Sequence, residues 1–284
     1  MTRNMHKYEE LTPLEFDAEK ARASIIYAAA GPMEYHEECN ALGIDPFKGY
    51  EWCLAAAEIT GGIVFPMIPF APGGRRPFTS AEELRQRRRL KDIPFGEYLP
   101  QPHIYPTVIS SREVCRALYL ELLETFAEEL GFKLCVFFGS HGPAGAMIQE
   151  LTEELGGTIH GMEVMAVGSL DYNRDIIDKF YAEHGIKRIN HGGLWETAVN
   201  YAVNPEYYHP EYLDAGKYPQ HYGALKEDHF EGCLRPTLSE YRNFTPEFAR
   251  ELFDATAKRF AADVQARYER LMAQNGDKEN KGAK

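Results

Sequence analysis

Three stretches of this 284-residue sequence concentrate side chains that bind metals or move protons. The first is Gly31-Pro32-Met33-Glu34-Tyr35-His36-Glu37-Glu38-Cys39, followed by Asp45. Glu34 and His36 stand two apart, so in extended backbone they point to the same side. Asp45 returns after a short excursion, where a carboxylate is able to bridge two ions. The second stretch is Gly139-Ser140-His141-Gly142-Pro143, whose small residues let the backbone approach a bound group. The third is His191-Gly192-Gly193-Leu194-Trp195-Glu196-Thr197, which reads as a loop running into a helix. Each piece has a plain alternative: a loop histidine often only makes a structural hydrogen bond, and surface glutamates are usually solvated. Taken together, a mixed set of imidazoles and carboxylates suits Zn²⁺, Mn²⁺ or Fe²⁺. Carboxylates that bridge favour a two-metal site that activates water.

These residues need elements to hold them. Ser24–Ala30 is a short apolar run that reads as a strand buried on both faces. A helix is expected over Phe47–Ile59, closed by Gly61-Gly62. Ile63–Phe70 is strand-like, but Pro66 and Pro69 make its far end an edge or a loop. Ser110 and Glu113 suggest a capping box, opening a helix to about Leu130 with Val114, Leu118, Leu122, Phe126 and Leu130 on its apolar stripe. Phe132–Phe138 and Met162–Val167 read as strands. Pro143 opens a helix ending near Gly156-Gly157, and Tyr172–Glu183 is another. Thr245-Pro246 starts a last helix to about residue 273, with Phe248, Leu252, Phe260, Val264, Tyr268 and Leu271 on its apolar face. The tail after Gln274 is expected to fray.

Strands alternate with helices over Ser24–Glu183, which predicts an α/β fold: a three-layer α/β/α sandwich with a mostly parallel sheet. In such sheets ligands bind at the carboxyl edge. Both Glu34–Asp45 and His141 follow predicted strands onto that edge. No internal repeat or linker is evident, so residues 1–284 are read as one domain. It would carry an irregular insertion at about 71–106 with the basic cluster Arg85–Lys91.

Composition narrows the function classes. Lys+Arg number 31 against 43 Asp+Glu, a formal net charge of −12, which disfavours a phosphate backbone as the main partner. No apolar run approaches the roughly 20 residues of a membrane span. The first residues lack the apolar core of a signal peptide. Five cysteines, scattered and without a CxxC, read as packed thiols of a reducing, cytoplasmic setting.

The motifs resemble those of the creatininase, or creatinine amidohydrolase, family. GPMEYHEECNALGID matches that family's opening G-s-x-E-q-H-G-x-H-x-P-x-x-x-D motif. Gly-Ser-His141-Gly-Pro-Ala matches its N-G-H-G-G-N loop, and HGGLWETA its H-A/G-G-x-x-E-T-S segment, with a following N-P-E at Asn204–Glu206. His103-Ile-Tyr-Pro106-Thr107 echoes a further H-x-F-P-G-T loop. The resemblance implies Glu34, His36, Asp45, His141 and Glu196 as metal ligands for two ions. It also implies His191 and Glu196 in catalysis, with His191 as the proton shuttle. Cys39, His103 and Trp195 are further candidates for substrate contact. Cys39 replaces the second histidine of the opening motif, and Glu37 replaces a glycine. Pro143 stands where creatinine-hydrolysing members carry a ligand glutamate.

The expectation is therefore a metal-dependent hydrolase of a small polar cyclic amide or formamide, other than creatinine itself. The alternatives are ring opening of a cyclic keto-sugar or keto-inositol, or a non-catalytic metal-binding relative. A protein–protein scaffold, suggested by the many aromatics, is the weakest reading. The expected partner is a small-molecule substrate, with no nucleic acid and no membrane. Family members form symmetric oligomers, so a homo-oligomer, with a hexamer as one form, is also expected.

Overall fold

The computed structural model describes residues 4–37, 39–73, 107–187, 189, 191–213 and 238–282, with side chains described as far as residue 274. The strands are β1 (Ile25–Ala30), β2 (Ile63–Val64), β3 (Leu134–Gly139), β4 (Thr158–Ile159) and β5 (Met162–Gly168). They form one sheet in the order β2-β1-β3-β5-β4. β2, β1, β3 and β5 run parallel, and β4 pairs antiparallel with β5. The helices are α1 (Pro13–Arg22), α2 (Ile44–Thr60), α3 (Arg112–Glu124), α4 (Gly142–Glu154), α5 (Arg174–Glu183), α6 (Leu194–Val203), α7 (Leu238–Tyr241) and α8 (Pro246–Gly282).

All six residues of β1 are buried, as an apolar strand covered on both faces requires. Their side chains alternate. Ile25, Tyr27 and Ala29 enter one core, with Trp52 of α2, Tyr181 of α5, Ala198 of α6 and Phe260 of α8. Ile26, Ala28 and Ala30 enter the other, with Tyr119 of α3 and Met147 of α4. The predicted three-layer α/β/α sandwich is present. The apolar face expected on the last helix is also in place: Phe248, Leu252, Phe260 and Val264 are buried, and Tyr268 and Leu271 pack against them.

Local details differ from expectation for identifiable reasons. α2 starts at Ile44, three residues earlier than predicted, because Pro46 falls in the first turn, where no backbone N–H is needed. Asp45 is thus a first-turn helical residue, not part of a loop. The cap of α3 is Ser111, whose Oγ accepts from the Val114 N–H at 3.3 Å, one residue beyond the expected Ser110. Cys115, Tyr119 and Leu123 are buried beside the expected Phe126, with the expected Leu118, Leu122 and Leu130 packed against them, and only Val114 of the expected stripe is exposed. Beyond α3 the chain makes a π turn over Thr125–Glu129. α1 and the short β4 were not anticipated, although Thr12, Pro13 and Glu15 form a capping box with a first-turn proline. α8 continues to Gly282, past the expected fraying point. Extending an established helix adds one bond per residue fixed, and the segment contains no proline. Arg85–Lys91 lies outside the described residues, as does most of the 71–106 insertion.

Candidate metal centre

β1 and β3 are neighbours in parallel register, with Ala30 opposite Gly139. Their carboxyl ends therefore release the Glu34–His36 segment and His141 side by side. Ser140 ties the two ends: its N–H and Oγ–H both donate to the Ala30 carbonyl, at 3.0 and 2.9 Å. A side chain at Gly139 would place its Cβ 2.3 Å from the Gly145 Cα, so glycine is required for α4 to sit this close to β3. Asp45 and Glu196 arrive from the first turns of α2 and α6. Helix N-termini favour negative charge.

Glu34, His36, Asp45, His141 and Glu196 converge, each less than a tenth exposed. His141 Nδ1 lies 3.2 Å from both Glu34 Oε2 and Asp45 Oδ2. His36 Nε2 lies 3.6 Å from both Asp45 Oδ2 and Glu196 Oε2. The His36 ring is oriented from behind, because Nδ1 donates to the Glu34 carbonyl at 2.9 Å. A carbonyl only accepts, so Nδ1 carries a proton and Nε2 is the ring atom turned toward the carboxylates. This is the usual arrangement of a ligating histidine. His36 Nε2 and Asp45 Oδ2 are buried without a hydrogen-bond partner among the described residues. Two such atoms facing each other are poorly satisfied by protein alone and fit a cation between them. Sets of these residues bring one donor atom each within 4.8 Å of one another.

The same crowding of carboxylates sets the electrostatics of the cluster. Burial by itself would lower the His36 pKa, but Asp45 and Glu196 outweigh it and hold the imidazole well above the ordinary range. His141 is raised likewise: burial opposes the shift, and Glu34 and Asp45 drive it. Burial would raise Asp45 and Glu196. Lys48 and His36 overcome that and hold both carboxyls below the usual range.

Lys48 was not anticipated from the sequence. It is 1% exposed, and its Nζ donates to Asp45 Oδ1 and Glu196 Oε1, both at 2.7 Å. The ammonium also sits 4.8 Å from the centroid of the Trp195 ring. Burial opposes its charge, but the two carboxylates raise its pKa above the ordinary lysine value. The available signal was its spacing: Lys48 is three residues after Asp45, on the same face once α2 begins at Ile44.

The third segment is buttressed from several sides. The Gly192 N–H donates to Glu196 Oε2 at 2.7 Å, and the Gly192 carbonyl accepts from Tyr241 Oη at 2.5 Å. Gly192 has φ +66°, and a Cβ there would come 3.0 Å from the His36 carbonyl carbon. Glu240, from the same short helix as Tyr241, accepts from the Leu194 N–H at the start of α6, at 3.0 Å. His191 Nε2 donates to the Tyr35 carbonyl at 2.8 Å, and its ring centroid lies 4.3 Å from that of His36. Asn40 Nδ2 donates to the His36 carbonyl and to Thr197 Oγ1, at 2.9 and 2.8 Å, joining the first segment to α6. Between these, Glu37 occupies the left-handed region at φ +67°.

The remaining candidates are placed differently. Cys39 is fully buried in a small cluster with Tyr241, Tyr208 and Leu213, and its Sγ accepts from Asn40 Nδ2 at 3.5 Å. Trp195 is 4% exposed, and its Nε1 has no hydrogen-bond partner among the described residues. His103 lies outside the described residues.

Comparison with known proteins bears on the fold and the family. The family model described as "Creatininase: Creatinine amidohydrolase" matches residues 9–264. Among solved structures, a crystal structure of creatinine amidohydrolase (creatininase) superposes with a TM-score of 0.67 at 16% identity, covering 93% of this chain and 98% of that one. A mutant creatininase of Zn–Zn type gives 0.67 at 16% identity, covering 94% and 99%. A putative creatinine amidohydrolase from Bacteroides fragilis NCTC 9343 gives 0.60 at 15% identity, covering 94% and 98%. No curated protein matches the sequence. With fold and family model in agreement over nearly the whole chain, this protein belongs to the creatininase family of metal-dependent amidohydrolases.

Proposed function

We propose that this protein hydrolyses a small polar cyclic amide or formamide other than creatinine, using a divalent metal held at the carboxyl edge of the sheet. The observation that carries this reading is the pair of buried atoms His36 Nε2 and Asp45 Oδ2, which face one another without hydrogen-bond partners among the described residues. Glu34 and His141 close on the same point. A bound divalent ion supplies Lewis acidity toward a carbonyl and acidifies a water. The protein's own residues do the rest. Glu34, His36, Asp45 and His141 hold the ion, and Glu196 completes the anionic wall. The Glu34 carbonyl fixes the tautomer of His36. His191, whose ring is anchored to the Tyr35 carbonyl, delivers the proton to the leaving group. Creatinine is set aside because Pro143 stands at the position that, by the motif match, carries a ligand glutamate in creatinine-hydrolysing members.

The proposal extends to a single-domain, cytoplasmic homo-oligomer. Its support is the sheet shared by both helical layers and the packing of Cys53, Cys115 and Cys135 as buried apolar side chains. Among the described residues, no helix is long and apolar enough to cross a membrane. The test is an activity screen of metal-replete protein across lactams, formamides and cyclic keto-polyols. Turnover of a lactam or formamide, abolished by chelation, is expected. Turnover confined to keto-polyols would replace the amide reading with ring opening of a keto-sugar. Light scattering on eluted protein gives the oligomeric state, and a monomer would sink that part.

A further inference from the structure

We propose that this protein binds one divalent ion per chain, held by Glu34, His36, Asp45 and His141, and that the Lys48 ammonium stands in for the second cation. The inference rests on the metal-hydrolase reading above and refines it.

A carboxylate that bridges two metal ions through both its oxygens offers one to each. Asp45 is the residue placed to do so, and it is already divided. Its Oδ1 accepts from Lys48 Nζ at 2.7 Å, and only Oδ2 faces the histidines. Glu196 is committed in the same way. Its Oε1 accepts from Lys48 at 2.7 Å and its Oε2 from the Gly192 N–H at 2.7 Å. A second ion on the His36–Asp45–Glu196 side would have to displace both hydrogen bonds and lie against a buried ammonium.

The ammonium is housed, not adventitious. It is enclosed by two carboxylates and the face of the Trp195 ring. An ammonium placed over an indole face between two carboxylates has the partners that a desolvated cation requires.

Charge balance gives the same count. Glu34, Asp45 and Glu196 carry three negative charges in a site where all three are buried. The Lys48 ammonium cancels one. The two that remain match the charge of a single divalent ion.

Donor spacing agrees. Four ligands around a divalent ion at about 2.0–2.2 Å lie about 3.3–3.6 Å apart when tetrahedral. His141 Nδ1 is 3.2 Å from Asp45 Oδ2 and from Glu34 Oε2, so these three form one close group, and His36 Nε2 approaches it through Asp45 Oδ2 at 3.6 Å. Glu196 then acts as the counter-ion that positions Lys48, and the metal is left to the other four.

The test is metal counting on the full chain, stripped with chelator, reloaded with excess Mn²⁺ and desalted. Inductively coupled plasma mass spectrometry gives the stoichiometry, and Mn²⁺ electron paramagnetic resonance reports whether neighbouring ions are exchange-coupled. Wild-type protein is expected to hold one Mn²⁺ with an uncoupled six-line spectrum. Lys48→Met, which releases Asp45 Oδ1 and Glu196 Oε1, is expected to rise to two with a coupled spectrum. Glu196→Gln is expected to stay at one. Two ions in the wild type, one ion in a folded Lys48→Met, or loss of the ion in Glu196→Gln would each overturn the inference and leave the metal-hydrolase reading standing. A wild type that binds no Mn²⁺ or Zn²⁺ would overturn both. If Lys48→Met does not fold, the wild-type count and Glu196→Gln decide the matter alone.

Discussion

Lys48 Nζ and Glu196 Oε1, 148 residues apart in sequence, lie 2.7 Å apart and join the first turn of α2 to the first turn of α6. Both groups are buried. Removing one member of a buried charged pair typically costs about 3–5 kcal/mol, because the partner is left uncompensated. Lys48→Met should therefore lose stability of that order in the metal-free state, measured by denaturant unfolding in chelator. Added Mn²⁺ should return part of the loss, since a ligand that binds only the folded state stabilises it. A loss under 1 kcal/mol would show that the pair is loosely solvated.

Gly192 is the hinge on which the third segment meets the first. Its φ is +66°, and a Cβ would press on the His36 backbone at 3.0 Å and on Glu37 Cγ at 3.2 Å. Gly192→Ala should destabilise the protein by about 1–2 kcal/mol through the left-handed backbone alone. It should also weaken metal binding by about 10-fold or more, because it shifts a residue that orients a ligand. Calorimetric titration of Mn²⁺ into stripped protein checks the second effect. Unchanged affinity would separate this loop from the centre.

Glu37 is a non-glycine residue at φ +67°, beside a ligand. Its carboxylate accepts from Tyr35 Oη at 3.4 Å. Relief of left-handed strain by Glu37→Gly should outweigh the added freedom of the unfolded chain and stabilise by about 0.5–1 kcal/mol. Chemical unfolding at neutral pH measures it. A loss instead would mean that the Glu37 carboxylate holds the site in shape, which is how strain is usually kept at functional positions.

The thiols give a check on burial. Burial pushes the Cys115 thiol up to about 12 and raises Cys53 and Cys135 as well. A thiolate is the reactive species, so none of these should react with a thiol reagent in the native protein at pH 8. On unfolding their pKa returns toward about 8.5, and all should label within the mixing time. Fast labelling of the native protein would contradict the packing of both cores.

Much of the site was legible because its ligands are carried by strand ends. Ser24–Ala30 and Phe132–Phe138 read as buried strands from composition alone, and parallel strands deliver whatever follows them to one edge. Glu34, His36 and His141 are placed by that rule. Asp45 and Glu196 were recognisable from the motif match, but not from local spacing. Their carboxylates meet only because α2 and α6 pack with their first turns together.

What the sequence by itself determined was the layer order, which follows from short-range alternation, and a set of candidate metal-binding side chains, which follows from residue type and the motif match. What only the tertiary structure decided was charge pairing. Lys48 reads as an ordinary helix-surface lysine along the chain, and Tyr241 as an ordinary aromatic in the segment leading to α8. The first becomes the buried partner of Asp45 and Glu196, and the second donates to Gly192. The physical reason is that a buried ion pair depends on distances between segments remote in sequence. No local pattern of residues encodes those distances.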